Sequence, residues 1–314
     1  MFIINTLAPL VLLVILGAVL RSSRFAPGCF FDNLNRMVYW ITLPALLFLK
    51  LSQASITWSA AAWLIGLLFG GAMLSLLLAR ITGALFRLPP PSLSAFMQGA
   101  FRGNLAFIGL PVVLFALTDA PPSASQNIET IAVLGLAPTI PLYNIVSVII
   151  LMAGRKSAGQ SVIGRVQFMA GGVLSNPLVV ACIAGITFSF TGLSLPVMLG
   201  RPLDLLGRTS LPLALVAIGA SLNLGAIKGH SLSATAAGLI KVAVGPLFLF
   251  LVNLIIDIPH TEYQIALLYL ACPTAVSSFV MAQQLGADDS LAGSIIVIST
   301  LLSLPAFILV LSFM

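Results

Sequence analysis

Charge is what this chain has least of. Asp, Glu, Lys and Arg make up 7% of its 314 residues, where a soluble domain carries about 25%. Hydrophobic residues make up 60% and mean hydropathy is +1.15, more apolar surface than a soluble core can use. Histidine is nearly absent. His230 and His260 fall in different loops expected on opposite sides of a membrane, so no convergent catalytic set forms around them. No Ser/His/Asp arrangement, HExxH or P-loop pattern occurs, so the chain reads as no enzyme, with no catalytic residue, metal site or cofactor. Cys29, Cys182 and Cys272 lack CxxC spacing, which argues against a thiolate metal site or a disulfide framework. The formal charge of +6 comes from basic residues scattered through loops without interleaved aromatics, which argues against a nucleic-acid partner.

What is abundant is the long apolar run. Spanning a bilayer takes roughly 20 mostly apolar residues, and Gly, Pro and charge punctuation separates ten such stretches: 3-20, 34-52, 58-84, 93-118, 129-153, 172-190, 196-222, 233-257, 263-285 and 289-312. The fold class expected is all-α and integral to the membrane. Met1 to Leu20 has no basic residue ahead of its apolar run and is followed by Arg21 and Arg24, so it reads as a retained first helix. A connection at 154-171 carrying Arg155, Lys156 and Arg165 divides the chain into halves, 1-153 and 172-314, of five spans each.

The halves echo one another. The second span reads Thr42-Leu43-Pro44-Ala45 and the seventh Ser210-Leu211-Pro212-Leu213; the fourth and ninth each hold Pro, Gly or small polar residues mid-span. Five spans per half give the halves opposite orientations, an inverted-topology repeat. Basic residues such as Arg36, Arg80, Arg87 and Lys228 fall on one side, and Lys50 with Asp119, Glu129, Asp257 and Glu262 on the other. By the positive-inside rule this places both termini outside.

The candidate site is where the fourth and ninth spans break. Pro111 cannot donate to the carbonyl of Phe107, nor Pro273 to that of Tyr269, and Gly103 and Gly109 loosen the backbone around Asn104. A break at membrane depth must face protein or a water-filled cavity. Two unwound spans that cross there aim half-helix N-termini at the crossing, which suits an anion. Arg102, directly before the break in the fourth span, could pair a carboxylate through its fork or bond freed carbonyls. Lys241, within the eighth span, could act as a fixed cation or titrate. No acidic residue stands near either break, which favours proton coupling or facilitated diffusion over sodium coupling. Arg201, Asp204 and Arg208 share one helix face as a structural cluster, and Asn144, Gln98, Ser147 and Gln283 read as interhelical hydrogen-bonding groups.

Asn104-Leu105-Ala106-Phe107-Ile108-Gly109-Leu110-Pro111 resembles the fourth-helix signature of the auxin efflux carrier family. Pro273-Thr274-Ala275-Val276, with Phe279 to Gln283 and Gly286-Ala287-Asp288, is similar to its ninth-helix counterpart, and Leu43-Pro44-Ala45 to its second helix. The resemblance covers essentially the whole chain, and the short connection points to a bacterial-type member of this architecture, which is related to that of the bile-acid symporters. It implies ten helices in two inverted repeats, with helices one, two, six and seven as a dimerising scaffold and three to five and eight to ten as a moving transport domain. It also implies a carboxylate substrate such as malate, malonate or an auxin-like acid, carried across the inner membrane. Asn104 matches the family's crossover asparagine, and Pro273 and Thr274 its partner; the substrate-binding set is then Asn104, Leu105, Gly109, Pro111, Pro273, Thr274, Ser277 and Ser278. Plant carriers usually have Gln where this chain has Thr274. A sodium-coupled symporter and a membrane anion sensor are the competing readings.

Overall fold

The computed structural model describes residues 2–53, 58–117, 122–154, 177–221 and 231–314. All but the first residue of the connection at 154-171, together with Asp119, Lys228 and His230, lies outside these residues. Apart from one bridged residue pair, the described secondary structure is helical. In chain order it comprises α1 (Phe2–Ser22), α2 (Gly28–Met37), α3 (Leu43–Ser52), α4 (Trp58–Leu85), α5 (Pro90–Phe101), α6 (Leu110–Leu117), α7 (Pro122–Ala153) and α8 (Pro177–Phe190). It continues with α9 (Val197–Ser221), α10 (Ser231–Leu239), α11 (Gly245–Asn253), α12 (His260–Ala271), α13 (Ser277–Gln284) and α14 (Asp289–Ser312).

Among the described residues, six continuous helical stretches are long and apolar enough to cross a membrane: Gly28–Ser52, Ala61–Leu85, Ile128–Ala153, Val197–Ala220, Ser231–Asn253 and Asp289–Ser312. Three shorter apolar helices accompany them, Ala8–Ser22, Leu105–Leu117 and Pro177–Phe190. The spans expected at 93-118 and 263-285 are each divided into two helices, so neither counts as one crossing element.

Proline shapes the long spans. Three π-helical turns occur among the described residues, Val38–Thr42, Leu105–Gly109 and Ile240–Val244. Each leads directly into a helix whose second residue is proline: Pro44 in α3, Pro111 in α6 and Pro246 in α11. A helical proline lacks an N–H and its ring clashes with the carbonyl four residues back. Widening the preceding turn relieves that clash while keeping the chain helical. Pro9, Pro202, Pro212 and Pro305 are instead accommodated within α-helices. Pro44 and Pro212, equivalent in the sequence repeat, thus differ in their local backbone.

By its contacts the chain forms two compact units. The first comprises Met1–Ala61, Ala106–Ile140 and Gly171–Leu222. Here α1 packs on α9 and α6, and α3 packs on α8 and α9; the α1 contact groups α6 with this unit, although the family resemblance assigns the whole fourth span to the transport domain. Two glycines set the α1–α9 approach: a Cβ at Gly17 would strike the carbonyl of Val216, and one at Gly219 the carbonyl of Val14. Small residues allow such close backbone approach, the main source of helix association where lipid removes the hydrophobic drive. Lys50 pairs with Glu129, joining two residues that charge asymmetry puts on one side. On α9, Asp204 accepts from Arg208 at 2.8 Å on an exposed face.

The second unit comprises Ala62–Leu105, Pro141–Ala170 and Asn223–Met314. Phe96 and Ala100 of α5, Ala79 of α4, Ala234 and Ala237 of α10, and Leu291, Ile295 and Ile298 of α14 form a common buried cluster. Tyr143 of α7 donates its hydroxyl to the carbonyl of Leu68 at 2.9 Å and stacks edge-on against Phe101. Asp288 caps α14 through the N–H of Leu291 at 2.9 Å and accepts from Ser92 at 2.7 Å, tying the start of α14 to the start of α5.

The glycine contacts give a direct test. Gly17→Ala and Gly219→Ala each lower the thermal unfolding midpoint of detergent-purified protein, by overpacking worth about 1–3 kcal/mol. Gly66→Ala, whose added methyl meets nothing within 4 Å, leaves the midpoint unchanged or slightly higher.

Candidate functional site: a backbone crossover

Both interrupted spans contribute to the second unit, where they meet through their backbones. α5 stops at Phe101, and Arg102 turns extended (φ −81°, ψ 98°). α12 stops at Ala271, and Cys272 turns extended (φ −67°, ψ 152°) just ahead of Pro273, as the bias of a pre-proline residue favours. Gly103 and Thr274 then form an antiparallel bridge. The N–H of Asn104 donates to the carbonyl of Pro273 at 2.7 Å, and the N–H of Ala275 to the carbonyl of Arg102 at 2.9 Å. Each broken strand supplies the partners that the other lost on leaving its helix.

The freed carbonyls behind the bridge are capped by side chains. Thr274 Oγ1 donates to the carbonyl of Gly99 at 2.7 Å, and Lys241 Nζ to the carbonyl of Leu270 at 3.0 Å. Gly99 lies four residues before Gly103, and Leu270 four before Thr274, so equivalent positions of the two half-helices receive a hydroxyl and an amine. Thr274 N–H donates to Ser299 Oγ of α14 at 3.0 Å. A side chain at Gly103 would crowd its neighbours: a Cβ would sit 2.9 Å from Cys272 Sγ and 3.2 Å from Lys241 Cε.

Arg102 lies within the break itself rather than directly before it. It is 7% exposed and donates to Asn144 Oδ1 at 2.6 Å and, more weakly, to Ser278 Oγ at 3.5 Å. Asn144 therefore makes the interhelical bond expected of it. Asn104 differs from these groups: its backbone is paired, its residue is 5% exposed, and its Nδ2 has no hydrogen-bond partner among the described residues. A buried amide donor left open in this way costs about 1–3 kcal/mol unless something accepts from it.

Of the remaining expected site residues, Leu105, Pro273 and Thr274 are buried; Thr274 forms the bridge, Pro273 precedes it and Leu105 follows two residues after Gly103. Ser278 is buried and meets Arg102, whereas Ser277 opens α13 and is exposed. Gly109 and Pro111, the end of the π-helical turn and the start of α6, belong to the first unit. Reading the sequence missed Ser299 and Gly99, since a serine or a glycine in an apolar helix carries no distinguishing pattern. It also gave no warning that Gln98 Oε1 and Ser147 Oγ, one turn from Arg102 and Asn144 respectively, are buried without a partner.

Residues 2–311 match the family described as Membrane transport protein. The chain is 26% identical over 297 residues to a Rhizobium meliloti (strain 1021) protein named "Putative malonate transporter", covering 93% of this chain and 89% of that one. It is 23% identical over 307 residues to an "Uncharacterized transporter" of Methanothermobacter thermautotrophicus (strain Delta H), covering 96% and 94%. This chain belongs to the membrane transport protein family, that of the auxin efflux carriers. It is a membrane transporter and not an enzyme.

The cap on Gly99 is separable from the fold. Thr274→Val, which keeps the shape but removes the donor, lowers the thermal midpoint by the equivalent of about 1–3 kcal/mol, the cost of an unsatisfied buried carbonyl. Thr274→Ser retains the hydroxyl and stays close to the parent in the same unfolding measurement.

Proposed function

We propose that this member of the membrane transport protein family is a secondary carrier of a small organic anion, a carboxylate such as malate, malonate or an auxin-like acid. The observation that carries this reading is the open Nδ2 of Asn104, a buried hydrogen-bond donor beside a backbone crossover. A carboxylate is acceptor-only when ionised and matches such a donor. The name borne by the Rhizobium relative supports a short dicarboxylate within this class.

In this reading Asn104 holds the carboxylate, and the N-terminus of α13, beginning at Ser277, adds partial positive charge. Leu105, Pro273, Thr274 and Ser278 of the second unit shape the binding region. Arg102 and Lys241 stabilise the crossover through their protein partners. The ten expected spans form two inverted five-helix repeats, with scaffold helices that pair two copies of the chain. The crossover travels with the transport domain in an elevator-like movement, so one fixed site meets alternate sides. Both termini face away from the cytoplasm across the inner membrane, and transport is driven by proton coupling or runs as facilitated diffusion.

Proteoliposome uptake tests this reading. With labelled malonate or malate, Asn104→Ala lowers uptake by about tenfold or more, the worth of a hydrogen bond to a charged group, while the protein still elutes as an intact dimer. Undiminished uptake removes Asn104 from the mechanism.

A further inference from the structure

Lys241 is the one lysine in the second unit's described residues that is buried, at 4% exposure, and neither ion pair found among the described residues includes it. A lysine so placed in an apolar span is expensive unless its charge meets a compensating group. Its Nζ reaches the carbonyl of Leu270 at 3.0 Å. Leu270 sits in the last turn of α12, where the carbonyls lose their helical partners and the aligned peptide dipoles leave partial negative charge. The usual donor to that carbonyl would be the N–H of Thr274, which is committed to Ser299.

The backbone places the amine there. Lys241 lies in the π-helical turn Ile240–Val244, ahead of Pro246, and its stem runs past Gly103, where a Cβ would come within 3.2 Å of Cε. In broken-helix carriers, the C-terminal end of a half-helix and its unwound carbonyls are where a coupling cation is held. At the equivalent carbonyl of the other half-helix, Gly99, a neutral hydroxyl suffices.

We propose that the Lys241 ammonium is a resident cation of the crossover, standing at the C-terminal end of α12 where a coupling cation would otherwise bind, so that anion transport needs no sodium. This rests on the carrier reading above and deepens it. Asn104 supplies the substrate contact and Lys241 the positive charge that holds the paired backbones together. Lys241 is accordingly a positioning residue, acting through the carbonyl of Leu270 rather than on the substrate.

The experiment combines uptake with thermal unfolding, using Lys241→Met, which keeps length without charge, and Lys241→Ala, which leaves room for a small cation. Parent uptake is the same in sodium and in choline buffer. Lys241→Met loses about tenfold or more, the worth of a charge-assisted hydrogen bond. Ethylammonium raises the unfolding midpoint of Lys241→Ala, restores part of its uptake and leaves the parent unmoved. If Lys241→Ala extracts only as aggregate, ethylammonium present during expression and extraction restores monodisperse protein. Sodium-dependent uptake by the parent, parent-like uptake by Lys241→Met, or no response of Lys241→Ala to ethylammonium overturns the proposal. The unfolding response needs no substrate, so it separates this proposal from the carrier reading, which fails instead if the parent takes up no carboxylate.

Discussion

A peptide N–H or carbonyl left unpaired in hydrocarbon costs several kcal/mol, so a chain can leave its helix at membrane depth only where other groups take over its hydrogen bonds. The bridge between Gly103 and Thr274 meets that condition, and much of the second unit is arranged around it. Two N–H groups are paired across the bridge, Ser299 takes a third, and Thr274 and Lys241 cap the carbonyls behind it. Gly103 follows from the same crowding, since a cysteine, a leucine and a lysine stem meet where its side chain would be.

Proline acts at two scales in this arrangement. Locally, Pro44, Pro111 and Pro246 each follow a widened turn. The widened turn ahead of Pro246 carries Lys241, so a steric rule about a ring and a carbonyl places the charge that caps α12. At the ends of the broken helices, Pro273 forces Cys272 out of the helical region and offers its own carbonyl to Asn104. One residue type thereby widens a helix in one place and ends it in another, depending on whether a partner strand stands ready for the freed groups.

The crossover was legible in the sequence because its signals are punctuation: Gly, Asn and Pro interrupting apolar runs at matching places in the two halves. The membrane class and the family were equally plain, from the scarcity of charge and from the motif at Asn104 to Pro111. The position of the break was read less well. Arg102 was taken to precede it, yet Arg102 is extended and shares in the bridge, because its carbonyl is needed by Ala275. The partners of the charged groups were not legible at all. That Arg102 meets Asn144 and Ser278, and Lys241 the carbonyl of Leu270, depends on helix packing that brings residues far apart in sequence together. The widened turns were missed because a lone Pro-containing tetrad reads as a simple kink.

Beside the crossover, whose backbone and cations are engaged, one buried amide donor has no partner among the described residues, Asn104 Nδ2. Arg102 and Lys241 are engaged by protein groups, whereas Asn104 Nδ2 is not, and this asymmetry is why we propose Asn104 as the point at which an anion is recognised. Counterflow in liposomes preloaded with unlabelled malonate measures this most directly, comparing the parent with Asn104→Asp, which keeps the shape of the side chain but turns its donor into a repelling acceptor. A transient accumulation of labelled malonate in the parent that vanishes in Asn104→Asp is the predicted result. An equal overshoot in both proteins, or none in the parent with any small carboxylate, would contradict it.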